Sequence, residues 1–376
     1  MIKFSLSAPG KVILFGEHSV VYGKTAIAAS IGLRTRLIYE EIEDDIISIT
    51  FKPIQVIYKI QLNDLDNLIK DLKENFIDIS PIMIDHDKYL KSIANFLEQF
   101  ADWENLSNSQ RQAIISFVYL LTAIRFYKKF SSSRGFSVTI DSDLKVGAGL
   151  GSSASFSVVL AGCFVKEITR NVTTQFSDEE LCEISQWAFC SERIMHGTPS
   201  GLDNCLCTYG SIIRFRKNEE PAVLKLEKSF EALLVDTTVP RQTKNMVANV
   251  ARLYNNNTSV ISHILDAMDQ LARDAENIIT SRYNTENSRK LKELIVINQG
   301  LLQTLGVSHN SINTICKLAD DKHFAAKLTG GGGGGYCIIA SFDSDPYTTL
   351  ELMNDLKNNG FPSVKADLGT PGLTVE

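Results

Sequence analysis

Six consecutive glycines, Gly330 to Gly335, stand between two short apolar segments of strand character, Ala325 to Leu328 and Tyr336 to Phe342. No helix or packed strand tolerates such a run, because each glycine loses more backbone entropy on ordering than any other residue. A flexible linker would carry Ser, Pro or charge around it. Here Lys327-Leu328-Thr329 leads straight in and Tyr336 straight out. The run therefore reads as a tight connection whose backbone comes close to a ligand or to another glycine loop.

A second glycine loop exists. Gly147, Ala148, Gly149, Leu150, Gly151, Ser152 and Ser153 place glycine at every second position on entry to a mostly apolar helix, Ser153 to Ile168. Unpaired N–H groups and the dipole at a helix start favour an anion, and glycines let it approach. A hydroxyl from Ser152 or Ser153 can ligate Mg²⁺. The glycines alone would equally suit a packing turn. The Lys-Ser/Thr ending of a P-loop is missing, and the spacing is G-x-G-x-G rather than the dinucleotide G-x-G-x-x-G. The meandering strands of the N-terminal half also disfavour a dinucleotide-binding βαβ fold.

Two further blocks carry ionisable groups. Glu192 stands near a helix end, and Asp203 is read in the loop that follows, after His196-Gly197-Thr198-Pro199-Ser200-Gly201. One carboxylate can bind Mg²⁺ and the other can take a proton from an alcohol. Near the N-terminus, Ser7-Ala8-Pro9-Gly10-Lys11 precedes Gly16-Glu17-His18. In isolation these acids, Lys11 and His18 would be surface or structural groups.

Around these blocks, Phe4, Leu6 and Ala8 alternate as a strand. Pro9-Gly10 is read as a turn and Lys11 to Phe15 as a second strand. The acidic patch Glu40 to Asp45 is read as a solvated turn between β-branched runs. Residues 64–130 show helical spacing, with Ala113 to Tyr127 as a buried helix containing Arg125. Gly135 to Ile140 returns to strand. Ser177-Asp178-Glu179-Glu180 has the form of a capping box opening a helix to about His196. A strand is expected near Ile212 to Phe215, and another at Ala232 to Asp236. The charged stretch Arg216 to Lys228 is the expected domain boundary. Beyond residue 243 the helices and strands alternate as in an α+β sandwich.

Composition narrows the class. A formal charge of −6 with a pI near 5.6 and no dense basic run argues against nucleic acid. No apolar run is long enough for a signal peptide or a membrane span. The seven cysteines read as reduced thiols of a cytoplasmic protein.

Taken together and in order, these blocks resemble the GHMP family of small-molecule kinases, and within it the mevalonate-phosphorylating branch of the animal type. Val239-Pro240-Arg241-Gln242-Thr243 adds to the likeness, which is strong in the blocks and weak between residues 40 and 130. The resemblance implies an α+β GHMP kinase fold. Residues 1–225 would form a domain like domain 2 of ribosomal protein S5, with a helical insertion at about 64–130. Residues 226–376 would form a ferredoxin-like domain bearing the loop Gly330, Gly331, Gly332, Gly333, Gly334, Gly335. It implies ATP as phosphoryl donor, held by Lys11, Ser142 and the loop Gly147 to Ser153. Ser153 and Glu192 would hold Mg²⁺, and Asp203 would be the general base beside Lys11. His18, Asp203 and Thr243, with Arg241, would contact mevalonate. A homodimer and inhibition by prenyl diphosphates are implied as well. Gly331 stands where relatives usually have Ala, Tyr336-Cys337 where they have Cys-Gly, and Phe15 where they often have His. Another kinase of the family, or a ligand sensor without catalysis, are the alternative readings.

Overall fold

The structure is a computed structural model describing residues 1–132, 134–197, 199–225, 230–282, 284–342 and 344–376. Strand β1, Lys3–Phe15, is continuous. The turn expected at Pro9-Gly10 is instead a β-bulge, where the register against β2 (Ala26–Ile42) shifts. The cause is tertiary. Lys11 N–H donates to the Leu150 carbonyl at 2.8 Å, and a Cβ on Gly10 would stand 2.6 Å from Leu144 and from that same carbonyl. Pro9, lacking an N–H, suits a bulge. Lys11 therefore lies inside a strand, just past a kink, and not at a turn.

β2 pairs with β1 along one edge. The acidic patch is only partly a turn, because Glu40 and Glu41 lie within β2 and the bend covers residues 43–45. Glu41 is buried, paired with Arg170 at 2.9 Å and accepting from Ile2 N–H at 2.8 Å. β3 (Ile46–Phe51) and β4 (Val56–Gln61) follow, then helices α1 (Leu62–Asn75), α2 (His86–Leu97) and α3 (Asn108–Tyr127). These three helices fall in the stretch that shows helical spacing in the sequence. They pack into the N-terminal core through Tyr89, Ile93, Phe117 and Leu121.

β5 (Gly135–Ser142) leads through the glycine loop to α4 (Ser152–Thr169), and then to α5 (Asp178–His196). The buried guanidinium of Arg125 on α3 is paired with Glu167 of α4, which also accepts from the Tyr39 hydroxyl. The capping box at α5 forms as expected: Glu180 N–H donates to the Ser177 hydroxyl, and Ser177 N–H donates to the Glu180 carboxylate. Next come α6 (Leu202–Tyr209), β6 (Ile212–Phe215) and β7 (Ala222–Leu224). The expected boundary at 225/226 abuts residues 226–229, outside the described residues.

The C-terminal part comprises β8 (Phe230–Asp236), α7 (Thr243–Asn256), α8 (Thr258–Thr280), α9 (Thr285–Thr304) and α10 (Asn310–Asp320). β9 (Ala325–Thr329), β10 (Tyr336–Ala340), α11 (Pro346–Asn358), β11 (Ser363–Leu368) and β12 (Thr374–Val375) complete it. Among the described residues the strands join in one sheet, ordered β4-β3-β5-β2-β11-β8-β10-β9, with β1, β6, β7 and β12 branching from it. β3 runs parallel to β5, and the other pairs are antiparallel. This is the expected α+β architecture. All seven cysteines are unpaired, and no described helix is long and apolar enough to cross a membrane.

Candidate active site

The cleft is built where the two glycine loops meet. Gly147, Gly149 and Gly151 all take positive φ (77, 94 and 79°), so the loop winds tightly into the start of α4. Gly151 is required for a second reason. A Cβ there would lie 2.8 Å from Lys11 Cγ, so the lysine stem runs directly against the loop. The glycine run between β9 and β10 approaches from the other side. A Cβ on Gly335 would contact the Ala148 carbonyl at 3.4 Å, confirming that one loop closes on the other.

Lys11 is buried, and its ammonium is 3.0 Å from Asp203 Oδ2. Asp203 is not in a loop as expected from sequence. It occupies the first turn of α6, whose start is set by Gly201 in a left-handed conformation. A helix holds a carboxylate more firmly than a loop, and the dipole there favours its charge.

Glu192, on the last turns of α5, is buried, and its Oε1 has no hydrogen-bond partner. Burial, reinforced by the charge of Asp203, pushes its pKa up to about 7, while Ser153, Lys11 and Arg241 pull it back. One helical turn on, His196 Nε2 is 2.9 Å from Ser153 Oγ. Burial and the neighbouring Arg241 hold that imidazole below the usual histidine range.

His18 comes from the turn after β1 with φ 61°, and its Nε2 is 3.0 Å from the Gly331 carbonyl. Glu17 beside it forms a fully buried ion pair with Lys327 of β9 and accepts from Asn298 Nδ2 at 3.2 Å. Thr329 Oγ1 ties β9 to β1 through the amide and the carbonyl of Ile13, both at 2.9 Å. Thr243 opens α7. Its Oγ1 is out of solvent without a partner, and a Cβ on Gly331 would stand 2.5 Å from it. The glycine at 331 therefore lets Thr243 sit against the loop.

Two cavities share Ser152, Ser153, His196 and Arg241. One, of about 570 Å³, is polar and is walled by Gly149, Glu192, Asp203 and Thr243. The other, of about 250 Å³, is largely apolar, walled by Phe51, Ile54, Ala113, Phe156 and Met195, and reaches Ser142 and Gly147. Ser142 Oγ is engaged with Thr35 Oγ1 at 2.8 Å and accepts from Leu144 N–H at 3.1 Å. Leu150 turns its side chain inward, so only its backbone serves the loop. The apolar lining escaped sequence reading because such residues form no motif. His196 stood inside a recognised block without an assigned contact.

A helix-start glycine loop facing a Lys–Asp pair, closed from above by a second glycine loop, defines a small-molecule kinase of the GHMP class. The family described as GHMP kinases N terminal domain matches residues 118–211. Mevalonate kinase of Mus musculus is 32% identical to the chain, over 98% of it and 94% of the mouse protein. That of Schizosaccharomyces pombe is 34% identical, over 98% and 91%. The chain belongs to the mevalonate kinase family. Its fold is also that of the Methanococcus jannaschii mevalonate kinase (TM-score 0.72, 23% identity, 97% and 98% covered). It is likewise that of the L. major mevalonate kinase in complex with R-mevalonate (TM-score 0.69, 21% identity, 99% and 96% covered).

Proposed function

We propose that this kinase transfers the γ-phosphoryl group of ATP to the 5-hydroxyl of (R)-mevalonate, giving 5-phosphomevalonate and ADP. The observation that carries the chemistry is the Lys11–Asp203 pair at 3.0 Å: Asp203 lines the polar cavity beside the glycine loop, and the Lys11 stem packs against Gly151 of that loop. The family relation supports the choice of acceptor.

In this reading the apolar cavity takes the adenine, and the loop Gly147 to Ser153 takes the phosphates through its amides. Asp203 accepts the proton of the attacking hydroxyl as the bond to phosphorus forms. Lys11 stabilises the developing alkoxide, and the rigid cleft keeps donor and acceptor in line. Thr243, which lines the polar cavity, orients the acceptor, and His18, held by the Gly331 carbonyl and lining neither cavity, braces the glycine run beside it.

The residues present also fit Mg²⁺. The Glu192 carboxylate has an unpaired oxygen beside the Ser153 hydroxyl, and both face the polar cavity. Among the described residues no three His, Cys, Asp or Glu side chains converge to hold a metal alone. That suits a cation that takes one or two protein oxygens and completes its shell with phosphates and water. When bound, Mg²⁺ would neutralise charge on the β- and γ-phosphates.

The test is ADP release with Mg-ATP and, separately, mevalonate, phosphomevalonate, galactose and homoserine. Turnover with mevalonate alone is expected. Preference for another acceptor would move the chain elsewhere in the superfamily, and no turnover with any would favour a ligand sensor.

A further inference from the structure

Ser153 has one hydroxyl proton and two neighbours able to receive it. Glu192, whose Oε1 has no partner, lines the polar cavity together with Ser153, and His196 Nε2 is 2.9 Å from the serine oxygen. Glu192 and His196 are four residues apart on α5, so they share one face of the helix and flank the serine from the same side. Gly197, with φ 75°, ends the helix directly after His196. The imidazole therefore stays at the junction of the two cavities while the chain turns away.

A proton given to Glu192 would occupy the oxygen that a cation needs. A proton given to His196 leaves both the carboxylate and a serine lone pair open toward the polar cavity. We propose that His196 is the positioning residue of the cation site: Nε2 accepts the Ser153 hydroxyl proton and so aims the serine oxygen at the metal. This rests on the reading of Ser153 and Glu192 as the cation ligands. Groups that orient a metal ligand in this way change metal affinity by roughly 10–100-fold when removed. The competing role for His196 is direct contact with the nucleotide, since it also walls the apolar cavity.

The experiment measures ADP affinity by calorimetry with and without Mg²⁺ for the wild type, His196→Leu and His196→Gln, each also on a Ser153→Ala background. Leu and Gln are similar in size, so a folding defect would strike both, whereas only Gln offers an acceptor near the Nε2 position. In His196→Leu, the gain in affinity on adding Mg²⁺ should fall about tenfold or more. Gln should restore most of that gain, and on the Ser153→Ala background Leu should cost nothing further. An undiminished Mg²⁺ gain in His196→Leu overturns the proposal. So does an equal loss without Mg²⁺, or a further loss on the Ser153→Ala background. A wild type without any Mg²⁺ gain would instead sink the ligand assignment beneath it.

Discussion

Lys11 Nζ lies 3.0 Å from Asp203 Oδ2, and the two ends differ in exposure: the lysine side chain is 8% exposed and the aspartate 33%. The cation is fixed in the β1 kink under Gly151, while the carboxylate reaches into the cleft. Asp203→Asn keeps the size and loses the ability to take a proton. Its kcat should fall at least ~10²-fold with nucleotide affinity retained, the low end for a general base. Steady-state kinetics beside calorimetric ATP binding checks this. Near-normal turnover removes Asp203 from the base role.

Glu192 makes ligand-free stability pH-dependent in an unusual direction. Its pKa is raised from the ordinary 4.5 to about 7, so the folded state holds that proton more tightly than the unfolded chain. Below about 4.5 the group is protonated in both states and makes no difference. As pH climbs toward 7 the unfolded chain ionises first, and folding stability is lost. Above 7 the penalty is complete, on the order of 3 kcal/mol. Glu192→Gln should therefore raise the melting temperature of the ligand-free protein at pH 8, with a smaller gain at pH 5.5. Equal gains at both pH values would contradict the assignment. The same variant should need more Mg²⁺ for turnover.

Much of this was legible locally. The α5 capping box, its stop at Gly197 and the strands flanking the glycine run each follow from short-range rules, and each is found. Other features were not local. Pro9-Gly10 has turn chemistry, but the Leu150 carbonyl and Leu144 side chain convert it to a bulge. α6 is short and starts on Gly201 with no side-chain cap, so nothing in its sequence announced that Asp203 would sit on a helix. Glu41 looked like part of a solvated patch until Arg170, far along the chain, covered it. The wall of Phe51, Ile54 and Ala113 exists only once α3 packs beside the end of β3.

The glycine run separates two kinds of constraint. Gly330 has φ 78° and open space around its Cβ position, so Gly330→Ala meets only the left-handed penalty, about 1–2 kcal/mol. Gly332 has φ 72°, and a Cβ there would lie 2.2 Å from the Val307 carbonyl, the acceptor of Gly333 N–H. Gly332→Ala should lower the melting temperature clearly more than Gly330→Ala and raise KM. Thermal unfolding of the pair decides it, and equal shifts would contradict the close approach.

Glu17 and Lys327 are both fully buried, next to His18. Lys327→Met leaves a buried carboxylate unpaired and should cost roughly 3–5 kcal/mol. Adding Glu17→Leu should recover part of that stability, because the orphaned charge goes with it. KM for mevalonate should rise in the double variant, where His18 loses the Glu17 carboxylate beside it. Denaturant unfolding of the single and double variants tests this, and additive losses would contradict it.

The central claim is phosphoryl transfer to one hydroxyl of mevalonate, and ³¹P NMR of the wild-type reaction addresses it directly. With Mg-ATP and (R)-mevalonate, a new phosphomonoester signal coupled to the C5 methylene protons should grow in step with ADP. ADP accompanied by inorganic phosphate alone, or no loss of ATP at all, would contradict the account.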